Sequence, residues 1–342
     1  MGLPRTSAGS VLFTSYNVLD LFEDESPDGQ EHYRLVVESI RALDTDVLAV
    51  QEIRAKDRAT ARARLEQLAG DTGLACTVPG AVTGTGTGTG AGRARPALAI
   101  GSRSYHVGLL WRDGIEPVPG SLRCYGRGEF WHSLAMVSLD VGGTVVRHAA
   151  HHSTPFCRQL RADQNERLVA AVRRPAAGAP TMVGADWNTE SADRVYDEAT
   201  GTWPLYEPRD PYAGVDWFES MLFQCDWDYD EKGQRRHWAD RRPGDVLWAG
   251  GLHDAAAVLG SPWQATVGHH PTDGFGRRGV HRRIDAIRVT RDLTGGLRAC
   301  TVTDTDLTRR ASDHLPVTVE YVPPPPPCPV SAEDPAPGGV PV

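Results

Sequence analysis

Val11–Asn17 reads V-L-F-T-S-Y-N and Asp46–Glu52 reads D-V-L-A-V-Q-E, two nearly continuous apolar runs that each stop at a polar side chain. Runs this short, rich in β-branched and aromatic residues, predict buried strands. Between them, His32–Leu43 sets Leu35, Val36, Ile40 and Leu43 at helical spacing, and Ala59–Leu68 follows with the same periodicity. Strand, helix, strand, helix is the order of βαβ units and predicts an α/β protein.

Working outward, Ala97–Gly101 and Tyr105–Trp111 predict two more strands, closed by the turn residues Asp113-Gly114. Leu134–Val141 and Thr144–Ala150 flank Gly142-Gly143, a hairpin signal. Arg158–Val172 predicts an amphipathic helix and Thr181–Ala185 the strand after it, with closing strands at His281–Thr290, Arg298–Thr303 and Leu315–Tyr321. The Gly-Thr repeat at Thr83–Gly90 predicts a surface loop. Trp187–Gly250, rich in Trp, Tyr, Pro and Asp, predicts a long irregular stretch. One domain over residues 1–322 is expected, then an extended, disordered Pro-rich tail over 323–342.

The 342 residues, 40% hydrophobic and 23% charged, suffice for a full core. No apolar run approaches the roughly 18 residues a membrane helix needs. Met1–Ser10 holds one arginine and no apolar segment, which argues against a secretory signal. The six cysteines form no C-x-x-C pair, so zinc-ribbon and redox motifs fail, and reduced thiols in a cytoplasmic protein are expected. A net charge of −8 argues against coating nucleic acid by charge alone. The sequence carries no signal for oligomeric state.

The recurring feature is the chemistry at the strand ends. Asn17, Glu52, His151-His152, Asp186 with Asn188, and Asp313-His314 all stand where an apolar run gives way to a loop. Catalytic groups of α/β proteins sit at such places. Any one of these residues has a duller account as a turn former or cap. Five together predict an oxygen-rich site with imidazoles nearby, the donor set that hard cations such as Mg²⁺ take.

These segments resemble, in order, those of the endonuclease/exonuclease/phosphatase superfamily. They are S-Y-N-V (Ser15–Val18), L-A-V-Q-E (Leu48–Glu52), H-H-S-T-P (His151–Pro155), G-A-D-W-N (Gly184–Asn188), R-I-D (Arg283–Asp285) and S-D-H-L-P (Ser312–Pro316). The resemblance spans about Val11 to Tyr321. It implies a four-layered α/β sandwich, two packed mixed β-sheets flanked by helices, that hydrolyses phosphoric esters with Mg²⁺ or Mn²⁺. It further implies that Glu52, with Asn17 beside it, holds the metal and that Asp313 supplies a second carboxylate. Asp186 would then orient or deprotonate the attacking water, and Asn188 fix the phosphate or the water. His314, held by Asp285, would contact the phosphate, and a histidine of the pair would stabilise the transition state or protonate the leaving oxygen. The usual family form, His followed by Leu at the strand end, would select His151, whereas Ser-Thr-Pro resembles the His-Ser-x-Pro of the deoxyribonucleases and selects His152. Only one can enter, because successive strand residues face opposite ways. Tyr105, Arg127 and His270 are candidate substrate contacts.

Other signals have competing accounts. Asp226, Asp228 and Asp230 resemble the start of a calcium loop, but Glu231 replaces the required glycine and His237 the closing glutamate, leaving a solvated acidic loop as the expectation. Arginine pairs at 235–236, 241–242, 277–278, 282–283 and 309–310 either draw an anionic substrate or are ordinary charged loops. Trp203, Trp217, Trp227, Trp238, Trp248 and Trp263 either stack on bases or pack a long loop. The leading expectation is a phosphodiester hydrolase acting on nucleic acid. The alternative is a phosphatase or phosphodiesterase for a small phosphorylated molecule, and the third, a non-catalytic binding module, would have lost the motif residues that are all present.

Overall fold

The structure is a computed structural model and describes residues 9–83, 90–91, 93–173, 179–270 and 279–325. Most of the Gly-Thr repeat and the tail from residue 326 lie outside the described residues.

Two sheets form the centre. The first is ordered Leu297–Val302, Val317–Tyr321, Val11–Leu21, Val47–Arg54, Tyr105–Arg112, with Leu74–Ala75 and Leu98–Ile100 also paired to Tyr105–Arg112. In the second, Glu116–Pro117 and Arg123–Tyr125 pair with Ser133–Val141, which is followed by Thr144–His152, Thr181–Asp186, Asp285–Thr290 and Leu252–Asp254. Both sheets are mixed and built alike. Each has one parallel pair at its centre, Val11–Leu21 with Val47–Arg54 and Thr144–His152 with Thr181–Asp186. Each pair is joined through a helix, Pro27–Leu43 or Arg158–Arg173, as parallel strands require. In each sheet a late strand then runs antiparallel beside the pair, Val317–Tyr321 or Asp285–Thr290. The carboxyl ends of the parallel strands and the beginnings of these late strands therefore share one edge.

The alternation of each strand sorts its side chains into layers. Phe13, Ala49, Leu109, Val137, Ala150 and Ile287 pack between the sheets. Leu48, Val50 and Leu110 turn outward onto Leu35, Ile40 and Leu65 of the two N-terminal helices. Ala149, Val183 and Ala185 turn outward onto Leu168, Val172 and Leu247. The result is the four-layered sandwich. Gly184 marks a close approach of the two sheets, because a Cβ there would meet the Ser15 and Ala49 Cβ atoms at 2.9 and 3.0 Å.

Residues 187–250 are more regular than expected. Cys225–Tyr229 and Arg235–Ala239 form a hairpin, and Arg242–Ala249 forms a helix. The expected acidic loop is the first strand of that hairpin: Asp226 pairs with Arg158, and Asp228 with Arg236 at 2.8 Å. Acidic side chains are tolerated in these strands because arginines on the facing strand and helix neutralise them. No described helix is long and apolar enough to cross a membrane.

Candidate active site

The shared edge collects the polar strand ends. Asn17 continues the alternation of Phe13 and Ser15, so its amide enters the space between the sheets. Its Nδ2 donates to Glu52 Oε1 at 3.0 Å and to Asp186 Oδ2 at 3.1 Å, while its Oδ1 accepts from the Leu19 N–H at 3.1 Å. One amide thus holds two carboxylates together.

Glu52 arrives by a different device. Alternation from Val47 and Ala49 gives Gln51 the inner face, and the Gln51 amide does lie there, 3.3 Å from Ser15 Oγ. The strand then bulges: Val50 to Ile53 spans three residues against two, Gly108 to His106, on its neighbour. The extra residue is Glu52, at φ 68°, in the left-handed region where a side chain is strained. That conformation turns Glu52 into the site, where its other oxygen accepts from the Asp20 N–H at 2.9 Å.

The second sheet supplies the rest. His152 follows Val146, His148 and Ala150 onto the inner face, and its Nε2 lies 3.3 Å from Asp186 and 3.9 Å from Glu52. His151 takes the opposite face. Its Nδ1 donates to the Ser133 carbonyl at 2.8 Å, its Nε2 meets Ser153 Oγ at 3.1 Å, and its ring packs edge-on to Phe130. The pleat thus turns His151 away from the site. Asp186 pairs in register with Asp285, whose Oδ2 accepts from His314 Nδ1 at 2.8 Å. His314 Nε2 then points back to Asp186 at 3.9 Å. Asn188, at φ 50°, anchors its Nδ2 on the Ser153 carbonyl at 3.1 Å.

Electrostatics follow from this crowding. Burial opposes charge on His314, yet the carboxylates of Asp285, Asp313 and Asp186 outweigh it and raise its pKa well above the usual imidazole value. Burial likewise opposes charge on His152, and Asp186 and Glu52 win there too. Burial pushes the Glu52 carboxyl up, whereas His314 and His152 overcome burial and hold Asp186 well below the ordinary carboxylate range.

Two groups of potential metal ligands converge among the described residues, Glu52–His152–Asp186 and Asp186–Asp285–His314, each with ligand atoms within 4.8 Å of one another. Asp313 belongs to neither. Its side chain is 42% exposed, with Oδ1 3.9 Å from His314 Nε2 and without a hydrogen-bond partner. Two carboxylates drawn together by a neutral amide fit a hard divalent cation, and Asp313 lines the same cleft.

The site opens into a cleft of about 720 Å³. Tyr105 lines it beneath the Arg54 guanidinium, 4.2 Å from the ring centre, and His270 lines it while donating to the Arg309 carbonyl at 3.1 Å. Arg127 does not reach the cleft; it is exposed, in the turn that bridges to Phe130. The six tryptophans of the 203–263 region stay out of the lining as well, and Trp217 packs against Trp227 instead. Sequence reading missed His132, which stacks on His152 with ring centres 4.1 Å apart and an interplanar angle of 15°. It stands in a loop, just before a strand, where no pattern marks it.

Comparison with protein families matches the endonuclease/exonuclease/phosphatase family over residues 14–315. Comparison with curated protein sequences returned no match. Among solved structures, an AP endonuclease from Archaeoglobus fulgidus is similar at 15% identity with TM-score 0.54, covering 91% of this chain and 99% of its own. A humanized D. rerio TDP2 is similar at 13% identity with TM-score 0.53, covering 92% and 99%. A mannosyl-6-phosphatase from Bacteroides thetaiotaomicron is similar at 13% identity with TM-score 0.53, covering 91% and 99%. At these identities the likeness carries the fold alone.

Proposed function

The chain belongs to the endonuclease/exonuclease/phosphatase family of metal-dependent phosphoric ester hydrolases, and on that premise we propose that it hydrolyses phosphodiester bonds with Mg²⁺ at the Asn17–Glu52–Asp186 edge. The observation that carries this reading is the single Asn17 amide shared by two carboxylates, with His152 and His314 closing over them. Glu52, oriented by Asn17, would hold the ion with Asp313 at its border, and Mn²⁺ has the same oxygen preference. Bound there, the ion would supply a Lewis acid for a phosphate oxygen.

The chain's own groups do the remainder. Asp186 accepts hydrogen bonds and orients the attacking water. Asn188, pinned through its Nδ2, presents its Oδ1 to that water or to the phosphate. His314, kept charged by Asp285, holds a non-bridging oxygen. His152, stacked on the His132 ring and paired with Asp186, delivers a proton to the departing oxygen. Tyr105 and His270 contact the substrate at the rim.

Nucleic acid is the first substrate reading, supported by the exposed Phe156 and by Arg103 lying 5.4 Å over the Trp131 ring, both lining the cleft as platforms for a base. A second reading, a small phosphorylated molecule, is favoured by the cleft's volume, within the range of small-molecule sites. The scarcity of cations supports it too: Arg103 and Arg282 are the only described arginines in the lining. The five described cysteines are all unbridged, which supports a cytoplasmic setting. The test is digestion of single- and double-stranded DNA and RNA beside a panel of phosphomonoesters and small diesters, with Mg²⁺, Mn²⁺ or chelator. Diester cleavage lost on chelation is expected. Activity confined to monoesters would remove the diester reading.

A further inference from the structure

Arg282 and Arg283 are neighbours with opposite fates. The Arg283 guanidinium is buried and consumed, donating to Asp254 at 2.6 and 2.9 Å and to Glu207 at 2.8 Å. Arg282 faces the cleft instead. Its backbone exchanges hydrogen bonds with Val267, at 3.1 and 3.3 Å, and Val267 bridges on its other side to His314. Residues directly opposite one another across a ladder project from the same face. Arg282, Val267 and His314 therefore stand in a row on one face, and all three line the cleft. Two ladder spacings put the outer backbones roughly 10 Å apart, a gap that an arginine and an imidazole can both reach across.

Tyr212, which also lines the cleft, is the guanidinium's hydrogen-bond partner, and Asp186 attracts it from the site. A planar cation that lines the cleft, opposite a second cation, suits the tetrahedral oxygens of a phosphate.

We infer that Arg282 is a substrate-binding residue that grips the non-bridging oxygens of the phosphate from the side opposite His314, across Val267. The inference rests on the hydrolase reading above. It assigns the cleft a two-cation clamp for a phosphate group, adjoining the carboxylate edge.

The test combines calorimetric titration of inorganic phosphate into the full chain in Mg²⁺ buffer with Michaelis kinetics on a small diester. Arg282→Gln should weaken phosphate binding and raise KM roughly 10–100-fold, the range of a lost charged hydrogen bond. It should leave kcat within about threefold, and Arg282→Lys should recover part of the loss. A folded Arg282→Gln protein with unchanged phosphate affinity and KM overturns the inference. Should that variant not fold, Tyr212→Phe frees the guanidinium from its tether; a severalfold rise in KM supports the inference and no change overturns it. The two proposals fail separately. If the wild type cleaves no ester but binds phosphate through Arg282, the clamp stands and the hydrolase reading falls. If it cleaves esters and Arg282→Gln behaves identically, only the clamp falls.

Discussion

Two buried charge clusters meet near the Asp285–Thr290 strand, and they are built on opposite plans. In one, Arg283 reaches Asp254 and Glu207, Arg288 reaches Asp193 at 2.7 Å, and the other Asp193 oxygen accepts from the Asp254 N–H at 2.7 Å. Each carboxylate there lies against a guanidinium. In the other, Glu52, Asp186 and Asp285 crowd together, and among the described residues none pairs with an arginine or lysine; an amide and two histidines are their company. Burying charge costs several kcal/mol per ion unless it is paired. The first cluster offsets that cost within the chain and so holds the fold. The second keeps a surplus of negative charge beside a cleft, which suits a site that takes its missing cation from solution.

The strongest way to break this contrast is Asp186→Asn. Turnover should fall by about 10³-fold or more, the scale seen when a catalytic group is removed. The protein should still fold, with a lowered melting temperature, because His152 and His314 lose the buried carboxylate that favours their charged forms. Retained activity would make Asp186 a member of the structural cluster instead. The converse experiment is Arg283→Met, which strands Asp254 and Glu207 without their main partner. A loss of about 3–5 kcal/mol in urea unfolding is expected. An Arg283→Met protein as stable as the wild type would erase the distinction between the clusters.

The contrast also explains what the sequence made legible. Strand ends stood out because Asn17, Asp186 and His314 interrupt apolar runs, and alternation alone carries Asn17, His152 and Asp186 to one side of the sheets. The strand-end pattern marked Glu52 too, but alternation could not turn it into the site, since strict alternation gives the inner face to Gln51. The bulge that reverses this is a backbone event with no residue signature of its own. The paired cluster was invisible for a different reason. Arg283 finds Asp254 29 residues away and Glu207 76 residues away, and nothing local marks such partners. The 225–239 hairpin was missed although its period was present: Asp226 and Asp228 alternate with Trp227 and Tyr229, a strand pattern obscured by its resemblance to a calcium loop.

A cation-seeking cluster should respond to metal where a self-paired one does not. Mg²⁺ added at 100 times its Kd stabilises a protein by about 2.7 kcal/mol if it binds only the folded state. The wild type should therefore melt higher in Mg²⁺ than in chelator, and Glu52→Gln should lose most of that difference. Arg283→Met, though weakened, should keep it. An equal Mg²⁺ response in Glu52→Gln and wild type would place the ion elsewhere.

The smallest effect probes the ground between the clusters. Glu190 is buried beside Glu207, with Arg282 and Arg241 nearby, and burial together with Glu207 pushes its carboxyl up to about 8. A folded-state value raised above the unfolded one means that the fold prefers protonated Glu190. Its contribution is then complete below the ordinary glutamate range near pH 4.5 and is lost as pH climbs through about 8. Glu190→Gln makes the neutral form permanent. Between pH 6 and 8 the wild type should lose at most about 1.4 kcal/mol per pH unit through this group, and the variant should be flatter by that slope. Parallel stability curves for the two proteins would mean that Glu190 is ionised in the fold and belongs to the arginine-paired cluster. A flatter curve for the variant would leave Arg282 free of a full ion pair with Glu190, the state in which its guanidinium can serve the cleft.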